Sequence, residues 1–224
     1  GGTITANSGE GSSTGAGIGG GGGGNGKNGG DGSGITIYGG NVTAASHGTQ
    51  SGGAGIGGGE GDIGDGGAGN NIQINGGMVH ATGGYLGAGI GGGGGTGRKS
   101  GDGTVTISGG TVTSNGNITG SFSTGNTGNA LIFASSISDQ SGKANWSGII
   151  FERNVGQVYG NPSIQNNVEI PSNKCLYIPQ GSILTIPEGV TLKNDGWIAN
   201  CGKINGALTN TGTIIVGKNG NNPG

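Results

Sequence analysis

Asp31, Asp65 and Asp102 each stand shortly before a short alternating segment, ITI at 35–37, IQI at 72–74 and VTI at 105–107. If successive copies of this pattern stack, the three carboxylates fall in neighbouring loops, and Glu60 and Asp62 add two more. Like charges held close repel unless something bridges them. Calcium, which takes about six to eight oxygen ligands from carboxylates and carbonyls, is the natural bridge for glycine loops. The GGEGD at 58–62 approaches the calcium-binding nonapeptide G-G-x-G-x-D but has its Asp one place early. The expectation is solvated loop acids and no cofactor, with calcium at Asp31, Asp65 and Asp102 as the alternative.

A second set of residues could hold sugar. Only 4% of residues are aromatic, so an exposed ring is informative. In NDGWIA at 194–199, NCGKIN at 200–205 and NTGTII at 210–215, Trp197, Lys203 and Thr213 each precede an inward Ile, which predicts one outward column. Tyr38 takes the outward position after Ile37. Aromatic faces stack on the C–H faces of pyranose rings, and neighbouring Lys, Asn and Thr supply hydrogen bonds. The competing reading of Trp197 is a ring that covers the end of a core.

Catalytic constellations are thin. A lyase or glycosidase needs an acid/base pair or a cation with a basic residue on a rigid face. Arg98 and Lys99 beside Asp102 could serve a lyase, yet they sit in a glycine run, and neither His47 nor His80 has an obvious Ser or Cys partner. Gly-rich stretches suggest phosphate loops, but none opens a helix, so nucleotide binding is rejected. The expectation is a non-enzyme, with a β-helical polysaccharide lyase or glycosidase as the alternative. Cys175 and Cys201 suit either a disulfide across one turn or two free thiols.

The elements that position these residues follow from composition. Gly makes up 64 of the 224 residues, against the ~7% of ordinary chains. Each interior Gly costs a helix about 1 kcal/mol relative to Ala, so helical and doubly wound α/β folds are excluded. Collagen is excluded by clustered Gly and only 5 Pro. A net charge of −2 with 9% charged residues lacks the basic footprint of a nucleic-acid binder. Apolar runs such as ALIFA at 130–134 are far short of the ~20 residues that cross a bilayer. Because the chain opens inside a repeat and its only Met is Met78, the natural start is expected upstream.

The heptad GAGIGGG recurs at 15–21, 53–59 and 87–93, in step with ITIYGGNVTA at 35–44, IQINGGMVHA at 72–81 and VTISGGTVTS at 105–114. With a period of two, Ile35, Ile37, Ile72, Ile74, Val105 and Ile107 face inward and Thr36, Gln73 and Thr106 outward. One unit cannot bury so thin an apolar face, whereas stacked units build Ile and Val ladders. The chain is therefore expected to be an all-β parallel β-helix, a single domain with Gly-rich repeats over 1–128 and a continuation with shorter rungs over 129–224, sharing one continuous core. The Gly runs at 19–34, 57–71 and 91–103 read as flexible loops, or else as ordered polyglycine-like layers. Residues 129–159 read as a transition coil, after which Ile-Pro pairs recur every eight residues and N-x-G-x-I every six.

GAGIGGG with GGxVTA, NALIFASSISD, WSGIIF, IPEGVTLKN and the N-x-G-x-I repeats together resemble the repetitive β-helix regions of secreted or wall-attached surface proteins of Gram-positive, often gut-dwelling, bacteria. The resemblance implies an extracellular, right-handed β-helix beside adhesion modules, with a polysaccharide or host or cell-wall glycan as partner.

Overall fold

The computed structural model describes residues 1–11, 13–49, 51–95, 101–125, 127–218 and 220. Along its main sheet the strands follow chain order: Thr3–Asn7, Asn41–Ala45, Met78–Thr82, Gly109–Ile118, Asn129–Ile137, Gly148–Glu152, Val155–Tyr159, Cys175–Ile178, Trp197–Asn200 and Thr213–Val216. All these neighbours pair in parallel except Gly148–Glu152 with Val155–Tyr159, an antiparallel hairpin. Parallel neighbours need a full circuit of chain between them. The protein is thus an all-β parallel β-helix with one local reversal.

Before the hairpin, like residues stack on like. Ile18, Ile56, Ile90 and Ile118 form one column, and Ile37, Ile74 and Ile107 a second on a smaller sheet. A third runs through Val42, Val79, Val112, Ile132 and Ile150. Most of these side chains are fully buried, each contributing about 1.5–3 kcal/mol by removal from water.

Among the described residues the Gly runs are hydrogen-bonded layers and not flexible loops; the second and third are largely interior, whereas 21–31 of the first is mostly exposed. Gly52 to Gly59 and Gly91 to Gly95 are buried. Gly30 N–H donates to the Gly21 carbonyl (2.8 Å), Gly59 to Gly30 (2.9 Å), Gly67 to Gly59 (2.9 Å), Gly93 to Gly67 (2.9 Å) and Gly101 to Gly93 (3.3 Å), so the bonds alternate within and between coils. Chains without side chains approach closely enough to bond neighbours on more than one side. Gly19, Gly57 and Gly91, stacked in the heptads, share φ of 136°, 136° and 124°, which only Gly adopts cheaply. The runs could not be recognised as core from hydrophobicity, because backbone hydrogen bonds hold them.

The single core expected for the two halves is divided. One core contains Ala130, Ile132, Ala134 and Ile150 with the Ile and Val ladders, and the other contains Leu131, Ile149, Phe151 and Val158 with the C-terminal apolar residues. Asn129–Ile137 and Gly148–Glu152 therefore bury both faces, as strands with uninterrupted apolar runs must. After them the core lies on the opposite face of the same sheet. Strand direction reverses at the same place, and the two changes cancel, so both lobes wind with the same hand. Trp146 closes the first core, edge-on to Phe122 (5.1 Å) and Tyr159 (5.4 Å).

The C-terminal lobe has three-sided coils. Val168–Ile170, Leu192–Asn194 and Leu208–Asn210 stack on one side, Cys175–Ile178, Trp197–Asn200 and Thr213–Val216 on the next, Ile183–Thr185 and Lys203–Asn205 on the third. Ile170-Pro171, Ile178-Pro179 and Ile186-Pro187 mark the ends of three successive sides. The eight-residue rhythm thus counts sides, not coils. Cys175 lies opposite Trp197, and both Cys175 and Cys201 are free thiols.

Adjacent glycines give a direct test of the buried layer. A Cβ on Gly20 would overlap the Gly30 carbonyl, whereas one on Gly21 meets nothing within 4 Å. Gly20→Ala should lose about 3 kcal/mol or more of unfolding free energy. Gly21→Ala should stay within about 1 kcal/mol of the parent or gain slightly through the unfolded chain. Denaturant titration of both variants checks this.

Candidate functional site

In Cys175–Ile178 and Trp197–Asn200, period-two alternation turns Leu176, Ile178 and Ile198 into the second core and Cys175, Tyr177, Trp197 and Ala199 outward. Register places Val155, Cys175, Trp197 and Thr213 in one outward column, and Gln157, Tyr177, Ala199 and Ile215 in the next. Trp197 and Tyr177 are consequently diagonal neighbours on adjacent strands, within reach for aromatic side chains. Trp197 is 54% and Tyr177 37% exposed, and Val155 and Ile215 are also open. This face is the continuation of the one that the first core covers as far as Ile150, and it is uncovered because the core has changed sides.

A polar cluster borders the face at the corner before Trp197. Lys193 forms ion pairs with Asp195 and Glu169, the latter at 3.6 Å. Asp195 also accepts a hydrogen bond from the Thr211 hydroxyl. The Lys193 ammonium and then Thr211 hold the Asp195 carboxyl below its ordinary 3.8. Lys193 is in turn raised above 10.5, chiefly by its hydrogen bond to Asp195.

Of the residues expected in the aromatic column, Trp197 and Thr213 stack as anticipated. Lys203 does not join them: it pairs with Ile183 on another side of the coil, because one hexad spans a side and three sides make a coil. Tyr38 is 81% exposed but follows Thr36–Ile37 in the other lobe, so it stands apart from Trp197. Tyr177 was missed, although the alternation of CLYI against WIAN carries its signal.

The aspartates also separate. Gly32 and Gly103 both pair with Gly69, which stacks Asp31 and Asp102 on either side of Ala68, whose N–H donates to Asp31 Oδ1 (2.7 Å). Asp65 is out of this column and its N–H donates to Asn28 Oδ1 (3.0 Å). Glu60 is buried and accepts from Thr14 N–H (2.8 Å), Thr14 Oγ1 (3.1 Å) and the Ser51 hydroxyl, while Asp62 accepts from Gly26 N–H (3.1 Å). Among the described residues no three His, Cys, Asp or Glu side chains come together as a metal site. The stacking expected for Asp31, Asp65 and Asp102 fails because the Gly runs differ in length between copies. Arg98 and Lys99 lie outside the described residues. Among those residues no helix is long and apolar enough to cross a membrane.

A protein-family profile described as beta helix repeat matches residues 35–60 and 72–94, the first-lobe repeats. No curated protein and no solved structure matches the chain.

The corner cluster sets a pH dependence. Asp195, with its folded value lowered, adds stability above about pH 3.8 that is lost as pH falls through the folded value; Lys193, raised, adds stability below about 10.5 that is lost at higher pH. Asp195→Asn should lower the melting temperature at neutral pH and make its decline on acidification shallower. Thermal melts across pH 2 to 8 would show it.

Proposed function

We propose that the chain is a non-catalytic extracellular β-helical surface module that holds polysaccharide on the open face carrying Trp197 and Tyr177. The observation that carries this reading is two exposed aromatic rings on adjacent coils of one sheet. Sugar rings present C–H faces to such a surface and hydroxyls to a polar rim, here Thr213, Thr211 and the Lys193–Asp195 pair. A sheet face holds the rings at fixed spacing, so little conformational entropy is lost on binding. Extracellular placement is supported by the resemblance of the repeats to secreted and wall-attached β-helix regions.

The non-catalytic part rests on how the charged groups are placed. Asp31, Asp65 and Asp102 are dispersed, and Lys193, Asp195 and Glu169 are engaged with one another. A lyase would need an unengaged base facing a groove with a carboxylate or metal ion opposite, and the surface where Arg153 and Lys174 meet is lined by no Asp or Glu.

Glycan-array screening followed by titration tests the binding face. Trp197→Ala should remove a stacking contact of about 1 to 1.5 kcal/mol and weaken binding about tenfold. Tyr177→Ala should act in the same direction, and Lys203→Ala and Tyr38→Ala should leave affinity unchanged. Unchanged affinity in Trp197→Ala would overturn the assignment. Incubation with pectin, polygalacturonate, alginate and xylan, with and without calcium, should release no unsaturated or reducing ends; turnover of any of them would establish the enzyme reading instead.

A further inference from the structure

On the opposite face of the main sheet, the outer wall of the first lobe meets the side of the second and leaves a shallow, widely open cleft of about 340 Å³. Thr113, Asn115 and Phe133 line it from the first lobe, Arg153, Asn154 and Lys174 from the second. Phe133 is stacked on the buried Phe151 (4.9 Å between centroids, 15° between planes) and is itself half-buried, with Thr113 as its neighbour in the preceding coil. Lys174 Nζ lies 5.6 and 5.7 Å from the two ring centroids and donates to the Arg153 carbonyl (2.7 Å). That partner is neutral. Neither Arg153 nor Lys174 forms an ion pair among the described residues, and no Asp or Glu lines the cleft.

Arg153 occupies the tip of the one hairpin that reverses the sheet, with φ of 55°. Asn is the ordinary non-Gly residue for that conformation, so the backbone supplies no reason for an arginine. Arg153 lines the same depression as Phe133 and Lys174, and a guanidinium is a ready partner for a carboxylate. From Phe133 an outward column continues through Thr113, exposed His80 and Thr43 along the first lobe, giving hydrogen-bonding groups at the coil spacing beyond the cleft.

We infer that this cleft is a second binding site, selective for a carboxylate-bearing sugar, with the uronate ring against Phe133 and its carboxylate between Lys174 and Arg153. An uncompensated pair of cations beside an aromatic wall discriminates by charge and by ring face together, which neither feature does alone. The site does not rest on the Trp197 face, which lies on the other side of the sheet.

The test is titration of the whole chain with tri-galacturonate, with neutral galactotriose and with inorganic phosphate. Tri-galacturonate should bind, more weakly as salt rises, and galactotriose should bind at least tenfold more weakly. Arg153→Asn keeps a residue suited to the positive φ and should lower tri-galacturonate affinity about tenfold, the size of one lost charge-assisted hydrogen bond. Lys174→Gln should do the same, and Tyr38→Ala, at a ring exposed in the first lobe and outside both regions, should leave this affinity unchanged. Equal binding of the neutral sugar, full competition by phosphate at equal concentration, or an unaltered Arg153→Asn with a parent-like melting temperature would each overturn the site.

Discussion

Coil-to-coil backbone hydrogen bonding is the constraint on which everything else in this protein depends. Apart from the hairpin and the two edge strands, each strand of the main sheet takes its partners from the coil before and the coil after, so a residue's neighbour is set by register and not by its own chemistry. That is why Ile stacks on Ile through four coils, and why a lattice of glycines can serve as interior. In the Gly layer the bonded carbonyls sit where a Cβ would be. Hydrophobic burial stabilises the Ile and Val columns, but in the layer beside them close approach of bare backbone replaces it, and the one carboxylate buried among the described residues, Glu60, is met by three donors from Thr14 and Ser51.

The second organising event is the change of core from one face of the sheet to the other. It happens where two consecutive strands, Asn129–Ile137 and Gly148–Glu152, are apolar on both sides, and it coincides with the hairpin at Arg153. Both proposed binding regions are consequences of it. On one face the first core stops and the strands beyond it present Trp197 and Tyr177 to solvent. On the other the second core begins and its flank forms a cleft against Phe133.

The two regions differ in chemistry because their charges are placed differently. On the Trp197 face the ion pairs are closed among Lys193, Asp195 and Glu169, so it offers stacking surface and hydroxyls. In the cleft, Lys174 is bonded to a neutral carbonyl, and neither it nor Arg153 forms an ion pair among the described residues. An exposed apolar face suits neutral rings, and a pair of unpaired cations suits a carboxylate. A stalk of stacked coils carrying both would contact a polysaccharide along its length without any moving part.

Much of the fold was legible in the residues themselves. GAGIGGG and the I-x-I segments determined which side chains form columns, because alternation is a local property of an extended chain. The continuous apolar runs in NALIFASSI and GIIFE are those of strands buried on both faces, where composition alone reads a transition coil. Only the tertiary structure decided that much of the second and third Gly runs is interior, that Asp65 falls out of step with Asp31 and Asp102, and that Lys203 leaves the column of Trp197 and Thr213 while Tyr177 joins their face. The reason is physical: a period of two says which way a side chain points, but which residue lies beside it depends on how many sides close a coil and on which face of the sheet is covered, and both are settled by hydrogen bonds between coils far apart in sequence.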